Sequence, residues 1–139
     1  MHRFLTVVLA LAIFIALVSL VFVAATPTAN ERTTDFYILG LSGKATDYPS
    51  QLTVGGEGKV RVGIINREYN TTAYRIEVVI NGVITNNIGP ITLQKDGKWE
   101  EIVSFIPRQA GDSQKVEFFL YKEGEDKPYR TVYFRTNVQ

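Results

Sequence analysis

Residues 73–86 read Ala-Tyr-Arg-Ile-Glu-Val-Val-Ile-Asn-Gly-Val-Ile-Thr-Asn, and their pattern sets the fold class. Tyr74, Ile76, Val78 and Ile80 recur at every second position, the period of a strand with one face buried. Asn81-Gly82 follows at once. That dipeptide favours a two-residue type I′ turn, because both of its central residues need positive φ, so a hairpin is predicted from Ala73–Ile80 into a strand at Val83–Asn86.

Similar short runs lie on both sides, rich in Val, Ile, Tyr, Phe and Thr and separated by Gly, Pro, Asn and Asp. Upstream are Phe36–Leu41, the short Leu52-Thr53-Val54, and Lys59–Asn66 with Val60, Val62 and Ile64 on one face. Downstream are Ile88–Leu93, where Pro90 marks an edge or a bulge, and Trp99–Pro107, where Glu101 and Ile102 interrupt the alternation and a bulge is expected. Gln114–Lys122 and Tyr129–Val138 complete the set. Seven or eight strands, with turns every 8 to 12 residues and no helical periodicity, predict an all-β, immunoglobulin-like antiparallel β-sandwich over residues 36–139.

Ahead of it, Phe4–Ala25 contains no charge, Gly, Pro or Asn. As a helix it would be roughly 33 Å long, the thickness of a bilayer's hydrocarbon. One N-terminal transmembrane helix is therefore expected within residues 1–25, inserted in the lipid bilayer through residues 4–25. A signal peptide cut near Ala24-Ala25-Thr26 is the competing reading, and the length of the apolar run favours the anchor. Arg3 and the amino terminus carry the positive flank, which predicts a single-pass protein of the cell membrane with a cytoplasmic N-terminus and an extracellular C-terminal domain. Residues 26–35 form a polar linker.

Composition narrows the function. The chain has no cysteine and one histidine, His2, which stands before the apolar run. The domain therefore has no means to build a Ser-His-Asp or Cys-His nucleophile, a disulfide or a His/Cys zinc site. Charge is balanced, with 15 Lys and Arg against 14 Asp and Glu, so no nucleic-acid surface is expected.

Phe36-Tyr37-Ile38-Leu39-Gly40, Gly43-Lys44-Ala45, Asp47-Tyr48-Pro49, Leu52-Thr53-Val54-Gly55, Trp99-Glu100, Gln114-Lys115, Phe119-Leu120-Tyr121-Lys122 and Pro128-Tyr129-Arg130 occur in an order that resembles an archaeal membrane-protein family described only as domain of unknown function 1616. The resemblance covers the whole soluble part and implies an archaeal source and an extracytoplasmic domain. It implies no catalytic residues. Leu52–Asn66 also looks like the opening of cell-adhesion-related sandwich domains.

The candidate sites are few. Asn70-Thr71-Thr72 is a glycosylation sequon in a loop between two strands. Glu123, Glu125 and Asp126, with Asp112 nearby, supply hard-cation oxygens without calcium-loop spacing, so a solvated turn is expected. Glu100 and Glu101 are adjacent, and neighbours on a strand point to opposite faces, so they do not converge as a glycosidase pair. No catalytic residue, metal or cofactor is expected, and no small-molecule substrate. Strand parity places Val116, Phe118 and Leu120 inward, leaving Phe119 and Tyr121, with Tyr133 of the last strand, on an outer face as a candidate partner-binding patch. The expected function is non-catalytic: an anchored module that binds or spaces components of the archaeal envelope, meeting another envelope or membrane protein. The alternative is an accessory subunit of a membrane complex for secretion, a surface filament or glycosyl transfer.

Overall fold

The computed structural model describes residues 3, 5–12 and 33–139. The chain divides into two compact units, residues 1–31 and 32–139. In the first, residues 3 and 5–12 are helical, and Leu5, Val7, Val8, Leu9 and Leu11 are all exposed. Among the described residues no helix is long and apolar enough to cross a membrane, so the structure does not supply the expected transmembrane helix. Phe4 and residues 13–25 of the expected span lie outside the described residues, as does most of the linker.

The second unit is a two-layer β-sandwich. β1 (Asp35–Leu39), β3 (Gly58–Ile65) and β6 (Lys98–Phe105) form a three-stranded sheet in the order β1-β3-β6. β2 (Gln51–Leu52), β8 (Arg130–Val138), β7 (Gly111–Lys122), β4 (Thr72–Ile80) and β5 (Val83–Leu93) form the other, in that order. The alternating apolar positions face each other across the gap. Val60, Val62, Ile64 and Phe105 on one sheet meet Tyr74, Ile76, Val78, Val116, Phe118 and Leu120 on the other, all fully or almost fully buried. The rings of Phe105, Phe118 and Phe134 pack with centroids 5.9 to 6.4 Å apart.

The hairpin forms as its sequence predicts. Asn81 and Gly82 have φ of 48° and 82°, and Ile80 pairs with Val83. Gly63, central in the three-stranded sheet, has a different reason to be glycine: a Cβ there would lie 2.0 Å from the Tyr37 ring, which crosses it to donate a hydrogen bond to Glu100 at 2.7 Å.

Four local expectations change. Val83–Asn86 and Ile88–Leu93 are one strand, β5, which absorbs Pro90 by slipping register against Tyr74 and Ile76 at the open edge of its sheet. The pairing of β3 with β6 runs unbroken from Gly58↔Phe105 to Ile65↔Lys98, so the bulge expected at Glu101–Ile102 is absent. As an edge strand, β6 tolerates an outward Ile102, 52% exposed. The sandwich is not wholly antiparallel, because β2 pairs parallel with the end of β8, Gln51↔Asn137 and Leu52↔Val138. Finally, Asp112 opens β7 while Glu123, Glu125 and Asp126 follow its far end, roughly 35 Å away at the rise of a strand, so these carboxylates do not gather.

Candidate functional site

The outer face of the five-stranded sheet carries the aromatic row expected from parity. β4 and β7 pair with Arg75↔Tyr121, Glu77↔Phe119 and Val79↔Glu117, while β7 and β8 pair with Glu117↔Tyr133 and Phe119↔Thr131. Phe119, Tyr121 and Tyr133 therefore share one face. Their exposure differs: Tyr133 is 55% exposed, Phe119 is half-buried and Tyr121 is only 8% exposed.

The cause is a second layer of side chains. The Arg75 guanidinium lies 3.8 Å from the centre of the Tyr121 ring and reaches Glu77 at 2.8 Å, while the Tyr121 hydroxyl donates to Glu77 at 3.2 Å. Burial first, and then the Glu77 carboxylate, push the Tyr121 hydroxyl above the usual tyrosine range. On the other flank the Lys115 ammonium sits 4.4 Å from the Tyr133 ring centre and 3.7 Å from Glu117. Two cation–aromatic pairs, each with its own carboxylate, thus bracket Phe119. These two pairs are locally neutral, while Arg135, on the same face across from Lys115, has no carboxylate within ion-pair distance among the described residues.

Strand parity places Phe119, Tyr121 and Tyr133 on this face together with Glu117, and misses Arg75, Glu77 and Lys115, because their roles depend on cross-strand register. It also misses the cleft beside them. The register slip in β5 opens a hollow of about 420 Å³ between Arg75, Asn87, Gly89, Pro90 and the β7–β8 turn at Glu123-Gly124.

A second group of polar residues closes the end of the sandwich where the chain enters it. Glu68 accepts from Lys122 at 2.7 Å, from the Tyr129 hydroxyl at 3.1 Å and from Thr34 at 3.3 Å; the Thr34 hydroxyl lies 2.6 Å from that of Tyr74. Burial raises the Glu68 carboxyl, but its hydrogen bonds and the Lys122 charge outweigh burial and hold it below the usual carboxylate range. These contacts tie the entering chain to β4, β7 and the β3–β4 loop.

That loop presents Asn70. Buried Asn66 organises it, donating to the carbonyls of Asn70 and Leu93 at 3.0 and 2.9 Å and accepting from the Glu68 amide at 2.9 Å. Asn70 is exposed, and Thr72 of the sequon donates to its carbonyl. Glu100 stands on the outer face of the three-stranded sheet under Tyr37, and Glu101 falls on the opposite parity across from Val62. Among the described residues no group of three or more His, Cys, Asp or Glu side chains is placed to hold a metal ion.

Residues 27–137 match the family model described as Domain of unknown function (DUF1616). The chain belongs to this family. Its fold is shared with the CARDB domain of the PF1109 protein from Pyrococcus furiosus, crystallised in complex with di-metal ions, at 16% identity over 83% of this chain and 95% of that one, with a TM-score of 0.56. The solution structure of the same domain aligns at 17% identity over 76% and 93%, with a TM-score of 0.55. A module of the β-glucosidase from Listeria innocua, solved in complex with glucose, aligns at 14% identity over 76% of this chain and 16% of that one, with a TM-score of 0.52. These likenesses establish an immunoglobulin-like sandwich. No curated protein matches the chain.

Proposed function

We propose that this DUF1616 protein is a non-catalytic module of the archaeal cell envelope, anchored in the membrane by residues 4–25, which holds a partner on the outer face of its five-stranded sheet. One observation carries the reading: Phe119, Tyr121 and Tyr133 lie in register on a sheet face that the sandwich core does not use, with the cations over two of the rings, Arg75 and Lys115, paired to Glu77 and Glu117. Such a face meets a neutral or apolar surface at low desolvation cost, and aromatic residues concentrate binding energy where they are desolvated. Another envelope protein or a glycan is the occupant that suits it.

The anchor reading is supported by the unbroken apolar run and by the exposed Leu5, Val7, Val8, Leu9 and Leu11 of the helical segment, side chains that water does not favour. The Arg3 flank supports an outward domain. Protease added to intact cells stripped of any surface layer should digest the domain, and amino-terminal sequencing of native membranes should recover the chain upstream of Thr26. A domain protected until the cells are lysed, or a chain starting near Thr26 and washed free of membrane, would overturn the anchored, outward reading.

A further inference from the structure

We infer that the free edge of β8 is a strand-addition site, which takes an extended segment of a partner protein that alternates apolar with acidic residues. It adjoins the outer aromatic face at Tyr133 and differs from it in using the backbone edge of the strand.

The backbone groups of β8 alternate between its two sides. The amides of Asn137 and Gln139 donate to the carbonyls of Ser50 and Leu52, so odd-numbered residues of β8 turn their backbone toward β2. Thr131, Tyr133 and Arg135 share that direction by the alternation of a strand. β2 pairs only with Asn137 and Val138, so among the described residues no strand lies opposite the other three. They present a row of unpaired donors and acceptors about five residues long.

The two neighbouring edges are not equivalent. β1 faces β8 across the side of the sandwich, but its outward Ile38 carbonyl already accepts the Tyr48 hydroxyl at 3.0 Å. That contact blunts β1 in the way edge strands are usually protected. The same Tyr48 ring stacks on Phe134 of β8 at 5.3 Å, but it makes no hydrogen bond to the outward backbone of Thr131, Tyr133 or Arg135.

Between them runs an open groove of about 410 Å³, lined by Phe36, Ile38, Tyr48, Val132, Thr131 and Tyr133. A strand added to β8 would send alternate side chains into this groove, against Phe36, Tyr48 and Val132, which calls for apolar residues. The intervening side chains would lie beside Thr131, Tyr133 and Arg135. On that face β8 carries Arg135 and no acid; Arg135 stands across from Lys115, donates to the Ser113 carbonyl at 3.0 Å, and among the described residues has no carboxylate within ion-pair distance. Charge complementarity therefore calls for Glu or Asp at the intervening positions. Backbone pairing supplies the affinity and the two alternations supply the specificity.

A second copy of the chain fits less well. An antiparallel β8–β8 pairing would bring two copies of Arg135, and no acid of β8, to the outer side of one seam.

The test uses the full chain in detergent micelles and a fluorescein-labelled nine-residue peptide of alternating Val and Glu, with Val–Lys alternation as the control probe. The acidic peptide should bind at least about tenfold more tightly than the basic one. Its binding should slow amide exchange at Thr131, Tyr133 and Arg135. Thr131→Pro deletes one outward amide while leaving the β7 ladder and the aromatic row intact, and it should weaken binding roughly tenfold without changing the melting temperature by more than a few degrees. Should that variant fail to fold, Arg135→Glu serves, and it should reverse the preference between the two peptides. Equal binding of both peptides, absence of binding, protection on β1 or β5, or self-association of the chain through β8 would each overturn the inference. None of these outcomes bears on the outer aromatic face.

Discussion

The guanidinium of Arg75 covers the ring of Tyr121 at 3.8 Å, which is why a tyrosine on the outer face of a sheet is only 8% exposed. Arg75→Ala should uncover the ring and leave Glu77 without its cation. Since the pair is close to the surface, the cost in stability should be about 1 kcal/mol or less. Urea denaturation measures that cost. Quenching of tyrosine fluorescence by added iodide should rise in the variant.

The Glu68–Lys122 pair makes stability depend on pH at both ends of the scale. Glu68 is held below its ordinary value of 4.5, so its contribution is fully present above that value and is lost as pH falls through the folded value. Burial acts against the Lys122 charge, yet the Glu68 hydrogen bond and the neighbouring Tyr129 and Glu68 charges raise it above 10.5. Its contribution is present below 10.5 and fades as pH rises through the folded value. Glu68→Gln should therefore lower the melting temperature most between these limits and flatten its acid limb, as a pH series of thermal melts would show.

Gly63→Ala tests the seat of Tyr37. The new methyl would lie 2.0 Å from the ring, so the ring must leave, and the expected loss is about 1 to 3 kcal/mol. Burial, with the hydrogen bond and charge of Glu100, pushes the Tyr37 hydroxyl up to about 12. Displacing the ring should bring that ionisation down toward 10, which ultraviolet titration of tyrosinate would record. Glu100→Gln should give a smaller downward shift, because burial is the larger cause and persists.

With the domain outward as proposed, Asn70, an exposed sequon whose loop Asn66 holds in place, should carry a glycan in native membranes if the source organism glycosylates exported proteins. Intact mass should exceed the sequence mass by a sugar-sized increment, which Asn70→Gln removes. A native protein at the bare sequence mass would refute the modification.

Much of the sandwich is readable from side-chain period alone. Tyr74, Ile76, Val78 and Ile80 alternate cleanly because β4 sits inside its sheet, and Asn81-Gly82 allows one turn geometry. The outward parity of Phe119 and Tyr133 follows from the same period. β2 is two residues long and has no period to read, so its parallel pairing depends on a contact 86 residues away in sequence, Gln51 with Asn137. Pro90 makes β5 look like two strands because an edge strand slips register where an inner one would break. The Glu68 cluster draws Thr34, Tyr74, Lys122 and Tyr129 from four parts of the chain, and no local pattern announces it. The cover of Tyr121 is hidden in the same way, since it requires knowing that Arg75 stands opposite.

Co-purification of Phe119→Ala and Tyr133→Ala variants from native membranes tests the binding face most directly. Tyr133 is 55% exposed and Phe119 half-buried, so each variant should keep its fold at a cost below about 2 kcal/mol, well under the roughly 3 to 5 kcal/mol of a core phenylalanine. Both should lose the envelope partner recovered with the unmodified chain. Retention of that partner by both variants, or collapse of the domain in either, would contradict the proposed binding role.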